Sequence, residues 1–513
     1  MTIANGKQSR PLGAMVGALV KSGFDNNKYI KLQTEEINKR INRFSNKLYM
    51  EFGGKLFDDL HAARILPGYD AGVKIEILKS LKDKLEIIFV ISANHIEKRK
   101  IRADHAITYD AEVLRQIDNL RSVGLTVSSI VITLFTGKQQ NALEFANKLK
   151  TRGEKVYFHS PTAGYPNDVE KIVSDDGYGA NPFIETTKPL VIVTAPGPGS
   201  GKLATCLSQL YHEYKRGVKA GYAKFETFPV WNIDLKHPVN IAYEAATADL
   251  KDINMIDSFH LAAYGEVAVN YNRDLECFPV VQNILTKITG DPKLYQSPTD
   301  MGVNKIGFCI TDDKVVRKAS EQEVIRRYQK ALVDAKTGAG DKDTARRIEM
   351  LMSQMGVSLA DRNIVGGVRE VANLLDAPVV GIDLVKAKVY GKGKTLLSAS
   401  AAAVLNALKE IARIDDTIDL LPEQILKPLC DMKQNVLKVK NGQLSLKDTL
   451  VALSLSSAVN PLAKRALEKI KDLNGCEAHS SCVLESDEEQ TLKKLGIRIT
   501  CEPVYSTSAL FIQ

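Results

Sequence analysis

Leu190-Val191-Ile192-Val193-Thr194-Ala195-Pro196-Gly197-Pro198-Gly199-Ser200-Gly201-Lys202-Leu203-Ala204-Thr205 reads as an apolar, β-branched strand, a Gly- and Pro-rich turn and the opening of a helix. That order is what a phosphate cradle requires. Glycines let backbone N–H groups approach an anion, the positive end of the helix dipole favours it, and a lysine ammonium reaches terminal phosphates. Against the pattern G-x-x-x-x-G-K-[ST], Gly201-Lys202 supplies the Gly-Lys pair. Pro196 stands at the first Gly, and Leu203 stands where the magnesium-binding hydroxyl belongs. Pro198 deletes one backbone N–H and stiffens the loop at φ near about −65°. A magnesium ligand would then have to come from Ser200, Thr205 or another segment. Gly197, Gly199, Ser200, Gly201, Lys202 and Thr205 are the candidate ligand-binding residues. The same run also reads as a βα connection that turns a buried strand into a helix without any ligand.

Working outward, short β-branched runs recur at 85–91, 127–134 and 156–159, and amphipathic helix-like segments lie at 29–44 and 73–84. Strand and helix alternating in this way predict an α/β fold with a mainly parallel sheet, whose ligands sit beyond the C-terminal strand ends. The residues after each run are polar and Gly-rich: Ser92-Ala93-Asn94-His95, Phe135-Thr136-Gly137-Lys138 and Ser160 to Pro166. Residues 1–20 read as a flexible extension, and 21–231 as the N-terminal α/β, phosphate-binding domain with its P-loop-like strand–loop–helix. A mixed, mostly helical middle region covers 232–357, with helix-like stretches at 240–268 and 319–335 and a loop tip at Gly338-Ala339-Gly340-Asp341. From 358 to 513 the alternation returns as a smaller C-terminal α/β domain, with a strand at 379–382, helices at 400–411, 449–457 and 460–471, and a strand near 497–501.

Composition narrows the function classes. The 513 residues hold 69 Lys+Arg against 61 Asp+Glu, a net +8, with 44% hydrophobic residues and 7 Cys. Such a length favours several domains over one core. No apolar run approaches the roughly 18–20 residues of a membrane span, and no Lys/Arg block tracks a nucleic-acid backbone. Neither membrane nor nucleic acid is expected as a partner. An odd cysteine count in a long chain, with no apolar leader at the N-terminus, fits a reducing compartment, and the expected location is the cytoplasm.

Other segments carry chemistry-bearing residues. Glu51-Phe52-Gly53-Gly54-Lys55-Leu56-Phe57-Asp58-Asp59 joins a double Gly to a lysine and paired carboxylates, so Lys55 could clamp phosphate while Asp58 or Asp59 holds a metal; His61, Arg64 and Asp70 follow. Asp175-Asp176 precedes a Gly-rich turn, where Asp176 could serve magnesium or act as base. Asp300 sits with Thr299 and Asn304 around Gly302. Asp104-His105 could supply acid and base groups to a cleft at the strand ends, and His237, Glu244, Asp249, Asp257 and His260 fall in the mixed middle region. Lys219 and Lys224 read as a basic continuation of the helix opened by Lys202. Cys476, His479, Cys482 and Cys501 have ligand types suited to zinc, but not the spacing of a finger or ribbon, so zinc is not expected. Each has a structural reading beside the functional one: turn, cap, solvated face or packing.

Three strings, Glu51 to Asp59, Thr194 to Lys202 continuing through Ala204 to Glu213, and Ser297 to Asn304, resemble the bacterial family called domain of unknown function 1846. The resemblance extends from about residue 22 to 513. It implies a large N-terminal α/β domain, a helical insert and a smaller C-terminal α/β domain, and brings no reaction with it.

The residues therefore predict a cytosolic enzyme that binds a nucleotide or phosphometabolite at 195–205, of the phosphoryl-transfer or nucleotide-activation class. Its ligand is a small phosphorylated molecule, with a nucleoside triphosphate and Mg as the candidate cofactor. Lys202, Asp300, Lys55 and Asp176 are the candidate catalytic residues. A non-catalytic phospholigand-binding or regulatory protein is the alternative, and a metal-dependent hydrolase built on the C-terminal Cys/His group is the second alternative.

Overall fold

The computed structural model describes residues 21–57, 59–102, 107–439 and 442–506. They form two compact units, one from Ser22 to Ser320 and the other from Glu321 onward.

The first unit is built on seven strands: β1 (Leu48–Phe52), β2 (Leu85–Ser92), β3 (Val127–Thr133), β4 (Val156–Phe158), β5 (Leu190–Thr194), β6 (Gly221–Phe225) and β7 (Gly302–Val303). Their order across the sheet is β7-β6-β1-β5-β2-β3-β4, and every pairing is parallel. All C-terminal strand ends therefore lie along one edge. In β2 all eight residues are buried, as expected of a strand covered by helices on both faces. Each fully buried Ile, Val or Phe there contributes roughly 1.5–3 kcal/mol.

The connections out of β2 and β3 step toward β4, whereas those out of β5 and β6 step toward β7. Adjacent β5 and β2 thus send their chains opposite ways, which opens a crevice at their C-terminal ends. The loop after β5 and Ser92 to His95 after β2 border it. From that loop the chain enters the helix Lys202–Lys215, and the helix Asn272–Thr289 packs beside it.

The expected strands at 85–91, 127–134, 156–159 and 190–194 are present within a residue or two. Two readings are corrected. The helix opened by Lys202 stops at Lys215, and Lys224 lies on strand β6 instead. The stretch 240–268 is not one helix but two, Pro238–Ala246 and Ser258–Tyr264, separated by a strand at Asn254–Ile256 that pairs antiparallel with Val269–Tyr271. Asp257, the N-cap of the second helix, is where the helical pattern breaks.

In the second unit β8 (Val379–Asp383), β9 (Lys388–Lys392), β10 (Glu477–Ser480) and β11 (Arg498–Cys501) form a mixed sheet in the order β9-β8-β10-β11. The helix Ala399–Ala412 lies on β8 and β9. Its small residues serve close approach, for a Cβ on Gly391 would come 2.0 Å from the Ala403 amide nitrogen. Ser398 caps this helix by accepting from the Ala401 amide.

Candidate functional site

The loop Ala195–Gly201 is shaped by its glycines. Gly201 takes φ 89° and ψ 25°, a left-handed conformation that costs an L side chain energy, and so turns the chain directly into the helix. That helix runs 14 residues and no side chain caps its first turn. Gly197 lies so close to Tyr109 that a Cβ would meet the phenol oxygen at 2.3 Å. Gly199 faces His95, whose Cε1 would stand 3.6 Å from a Cβ there. Thr133, closing β3, donates through Oγ1 to the Ser200 carbonyl at 2.7 Å and fastens the loop to the neighbouring strand end.

The loop hydroxyls are inward. Ser200 donates to the Gly197 carbonyl at 2.9 Å and Thr205 to the Gly201 carbonyl at 2.9 Å, and both residues are fully buried. His95 behaves differently: its Nδ1 is buried without a hydrogen-bond partner among the described residues. Burial, followed by the charges of Lys100 and Lys98, holds its imidazole below the ordinary histidine value.

Lys202 reaches from the helix start to the end of β1, where its Nζ lies 3.5 Å from Glu51 Oε1. Glu51 pairs in register with Lys224 on β6, so the two side chains share one face of the sheet. The period of two places Tyr222, Lys224 and Glu226 on that face, while Phe225 turns to the other and stacks on Phe52 at 4.2 Å between ring centroids. Tyr222 donates to Glu51 Oε2 at 3.1 Å. The Lys224 ammonium touches the Tyr271 phenol oxygen at 2.5 Å and Glu226 Oε1 at 3.0 Å, and forms a third contact with Asp274 Oδ2. Asp274 belongs to the first turn of the helix Asn272–Thr289, and Tyr271 immediately precedes it.

Charge is unevenly shared in this cluster. Burial pulls the Lys224 ammonium down, but Asp274, Tyr271, Glu226 and Glu51 outweigh it and hold the pKa well above the ordinary lysine value. For Glu226 burial dominates; Lys224 opposes it, Asp274 and Glu51 reinforce it, and the carboxyl is raised to about 7. Gly302 leaves room for that carboxyl, since a Cβ there would meet Glu226 Oε2 at 2.6 Å.

Of the residues singled out from sequence, Gly197, Gly199, Ser200, Gly201, Lys202 and Thr205 come together at the crevice. Lys55 follows β1 on the same edge of the sheet and is exposed. Asp176 is exposed beside Asp175, which accepts from Tyr211 at 2.8 Å and pairs with Lys215, at the opposite end of the helix from Lys202. That helix is about 20 Å long. Asp300 precedes β7 and accepts from the Tyr264 hydroxyl and the Gln296 amide, each at 2.8 Å. Asp58, Asp104 and His105 lie outside the described residues. Asp59 caps the helix Leu60–Ile65 and pairs with Lys74 at 2.8 Å. Asp257 and His237 cap helices, and His260 Nδ1 meets Ser297 Oγ at 2.9 Å.

In the second unit His479 is fully buried with its nitrogens on Thr500 and Glu502, at 2.9 and 3.0 Å. Burial raises the Cys476 thiol to about 11 and the Cys501 thiol to about 12. Among the described residues no three His, Cys, Asp or Glu side chains are grouped to hold a metal ion, and no helix is long and apolar enough to cross a membrane.

Sequence comparison gives this arrangement its setting. The family model described as domain of unknown function DUF1846, N-terminal, matches residues 22–356, and its C-terminal counterpart matches 360–511. The chain belongs to the DUF1846 family. A UPF0371 protein of Clostridioides difficile strain 630 is 53% identical over 501 residues, covering 96% of this chain and 100% of that protein. A UPF0371 protein of Clostridium tetani is 54% identical, with 96% and 99% covered. The Gly-rich loop and the lysine–carboxylate cluster both fall within the N-terminal DUF1846 segment.

Sequence reasoning missed Glu51, Glu226, Tyr271 and Asp274 as members of one site. The available signal was the alternation Tyr222-Ala223-Lys224-Phe225-Glu226, polar on one side and apolar on the other.

Proposed function

We propose that this protein is an enzyme acting on a small phosphorylated metabolite, whose phosphoryl group is held by the 195–201 loop and Lys202. The carrying observation is the uncapped first turn of the helix Lys202–Lys215, entered through a left-handed Gly201 at the strand-end crevice, with a lysine at its first position. Such a helix start presents unpaired N–H groups and a positive dipole end to an anion. His95 adds a polar atom beside the same loop, its Nε2 standing 3.8 Å from a Cβ on Gly199.

A phosphometabolite is favoured over a magnesium nucleoside triphosphate. Leu203 occupies the position of the magnesium-binding hydroxyl, and the hydroxyls of Ser200 and Thr205 are buried on the loop's own carbonyls. Lys202 is then the ligand's counter-charge, shared between phosphate and Glu51. The test is a thermal-shift screen of wild type and Lys202→Ala against inorganic phosphate, pyrophosphate, sugar phosphates and nucleotides, with and without Mg²⁺. A magnesium-independent shift that the variant loses supports the reading; equal shifts in both proteins, or none, reject it.

A further inference from the structure

The sheet face next to the loop bears an excess of hydrogen-bond acceptors. Three carboxylates, Glu51, Glu226 and Asp274, converge on it, and the three protons of Lys224 are directed to Tyr271, Asp274 and Glu226. One oxygen of Glu226 and one of Asp274 remain without a hydrogen-bond partner among the described residues. Their side chains are mostly buried, at 11% and 25% exposure. A strand interior is ordinarily apolar, because burying charge costs free energy that pairing only partly returns. Here β6 gives up two alternate positions to Tyr222 and Lys224, and Glu226 continues the alternation just past its end. The charges of Lys202, Lys224, Glu51, Asp274 and Glu226 leave no positive surplus, so the face is unsuited to a second phosphate. What it suits is a neutral group rich in O–H donors, and Tyr271 adds an aromatic ring beneath the Lys224 ammonium, 4.8 Å from its centroid.

We infer that the Glu226–Lys224–Asp274 face is a subsite for the vicinal hydroxyls of a sugar, so that the ligand of the neighbouring loop is a sugar phosphate. The inference rests on the phosphate reading of the loop. It also orients the ligand: phosphoryl at Gly199 to Lys202, hydroxylated body along β1 and β6 toward the first turn of the helix Asn272–Thr289. Glu51, which contacts both Lys202 and Tyr222, links the two halves. Carboxylates suit this task because each oxygen accepts from a hydroxyl, and charge-assisted bonds of this kind are the stronger ones. A hexose phosphate, a pentose phosphate and the ribose of a nucleoside monophosphate all carry the required chemistry.

The experiment compares affinities by calorimetry for inorganic phosphate, glucose 6-phosphate, glucose 1-phosphate, ribose 5-phosphate and adenosine monophosphate, on wild type, Glu226→Gln, Asp274→Asn and Lys202→Ala. Wild type is expected to bind at least one sugar phosphate about tenfold or more tighter than inorganic phosphate. Glu226→Gln and Asp274→Asn should erase that margin while keeping inorganic phosphate affinity, and Lys202→Ala should weaken every ligand. Which arm shows the margin identifies the sugar: a margin shared by ribose 5-phosphate and adenosine monophosphate assigns the subsite to a ribose, whereas a margin for adenosine monophosphate alone traces it to the base and overturns the hydroxyl subsite. Phosphate binding with no sugar margin, or a margin that survives both carboxylate variants, overturns the subsite and leaves the loop standing. Loss of all phosphate binding in wild type overturns the loop reading and the subsite together. Melting curves of each variant verify the fold; if one carboxylate variant does not fold, the other carries the same comparison.

Discussion

Lys202 and Glu51 meet at 3.5 Å although 151 positions separate them, because β5 inserts beside β1 in the parallel sheet and its following helix starts over the end of β1. The pair joins the Gly-rich loop to the polar face of β6, and both side chains are mostly buried, at 15% and 13% exposure. In the proposed function Lys202 serves two partners, the phosphoryl group and Glu51.

A double-mutant cycle isolates that contact. Lys202→Ala and Glu51→Gln, singly and together, are expected to show a coupling of about 1 kcal/mol in stability, as for adjacent charges that remain partly hydrated. Urea unfolding followed by the fluorescence of Trp231, the protein's single tryptophan, measures it. A coupling indistinguishable from zero would mean that the pair is not formed in solution.

Gly201→Ala addresses the loop. Its φ of 89° and a Cβ placed 3.1 Å from the Thr133 side chain both oppose the substitution. Stability is expected to fall by about 1–2 kcal/mol, with phosphate binding lost even where the protein stays folded. Gly217→Ala is the control: it has positive φ of 80° but nothing within 4 Å of the added carbon, so it should lose stability without losing binding.

Glu226 introduces a pH dependence. Its carboxyl sits at about 7 in the folded protein against an ordinary 4.5, so the native state holds the extra proton between those values. Its contribution to stability is therefore full below the unfolded value and is lost as pH rises through about 7. Melting temperatures of wild type and Glu226→Gln taken across this range should diverge, the wild type falling relative to the variant toward higher pH. Parallel curves would show that Glu226 titrates normally.

In the second unit Glu477 is the counter-charge of three arginines, Arg326, Arg362 and Arg498, of which Arg362 is 1% exposed. Burial alone would raise its carboxyl, but the arginines outweigh it and bring it to about 2. Glu477→Ala takes the paired carboxylate from the buried Arg362, while Arg326 keeps Glu323 at 2.9 Å, and is expected to cost about 3 kcal/mol by urea unfolding followed by circular dichroism. Its stabilisation is present above pH 4.5 and lost as pH falls through about 2, so acid unfolding should begin at higher pH in the variant than in wild type.

The sheet was legible wherever strands are apolar throughout. Runs such as 85–91 and 190–194 have few polar residues because helices cover both faces, and that burial leaves its mark on composition. Strand β6 escaped because one of its faces is polar: Tyr222 and Lys224, with Glu226 just after it, break the apolar run, and the basic residues before it extend the helical pattern of 202–215. The two-residue β7 is too short to carry a pattern. The local signal was weakest where the polar face of the candidate site is built.

The sequence by itself determined the strand–loop–helix at 190–205, the αβ alternation and the candidate cradle residues, since these depend on neighbours within a few positions. Only the tertiary structure decided which distant groups join them. Parallel pairing sets Lys224 beside Glu51, 173 positions away, and the packing of one helix against another brings Asp274 to Lys224. No periodicity encodes those meetings: strand order across a sheet follows from which crossovers bury the most apolar surface, a property of the whole chain.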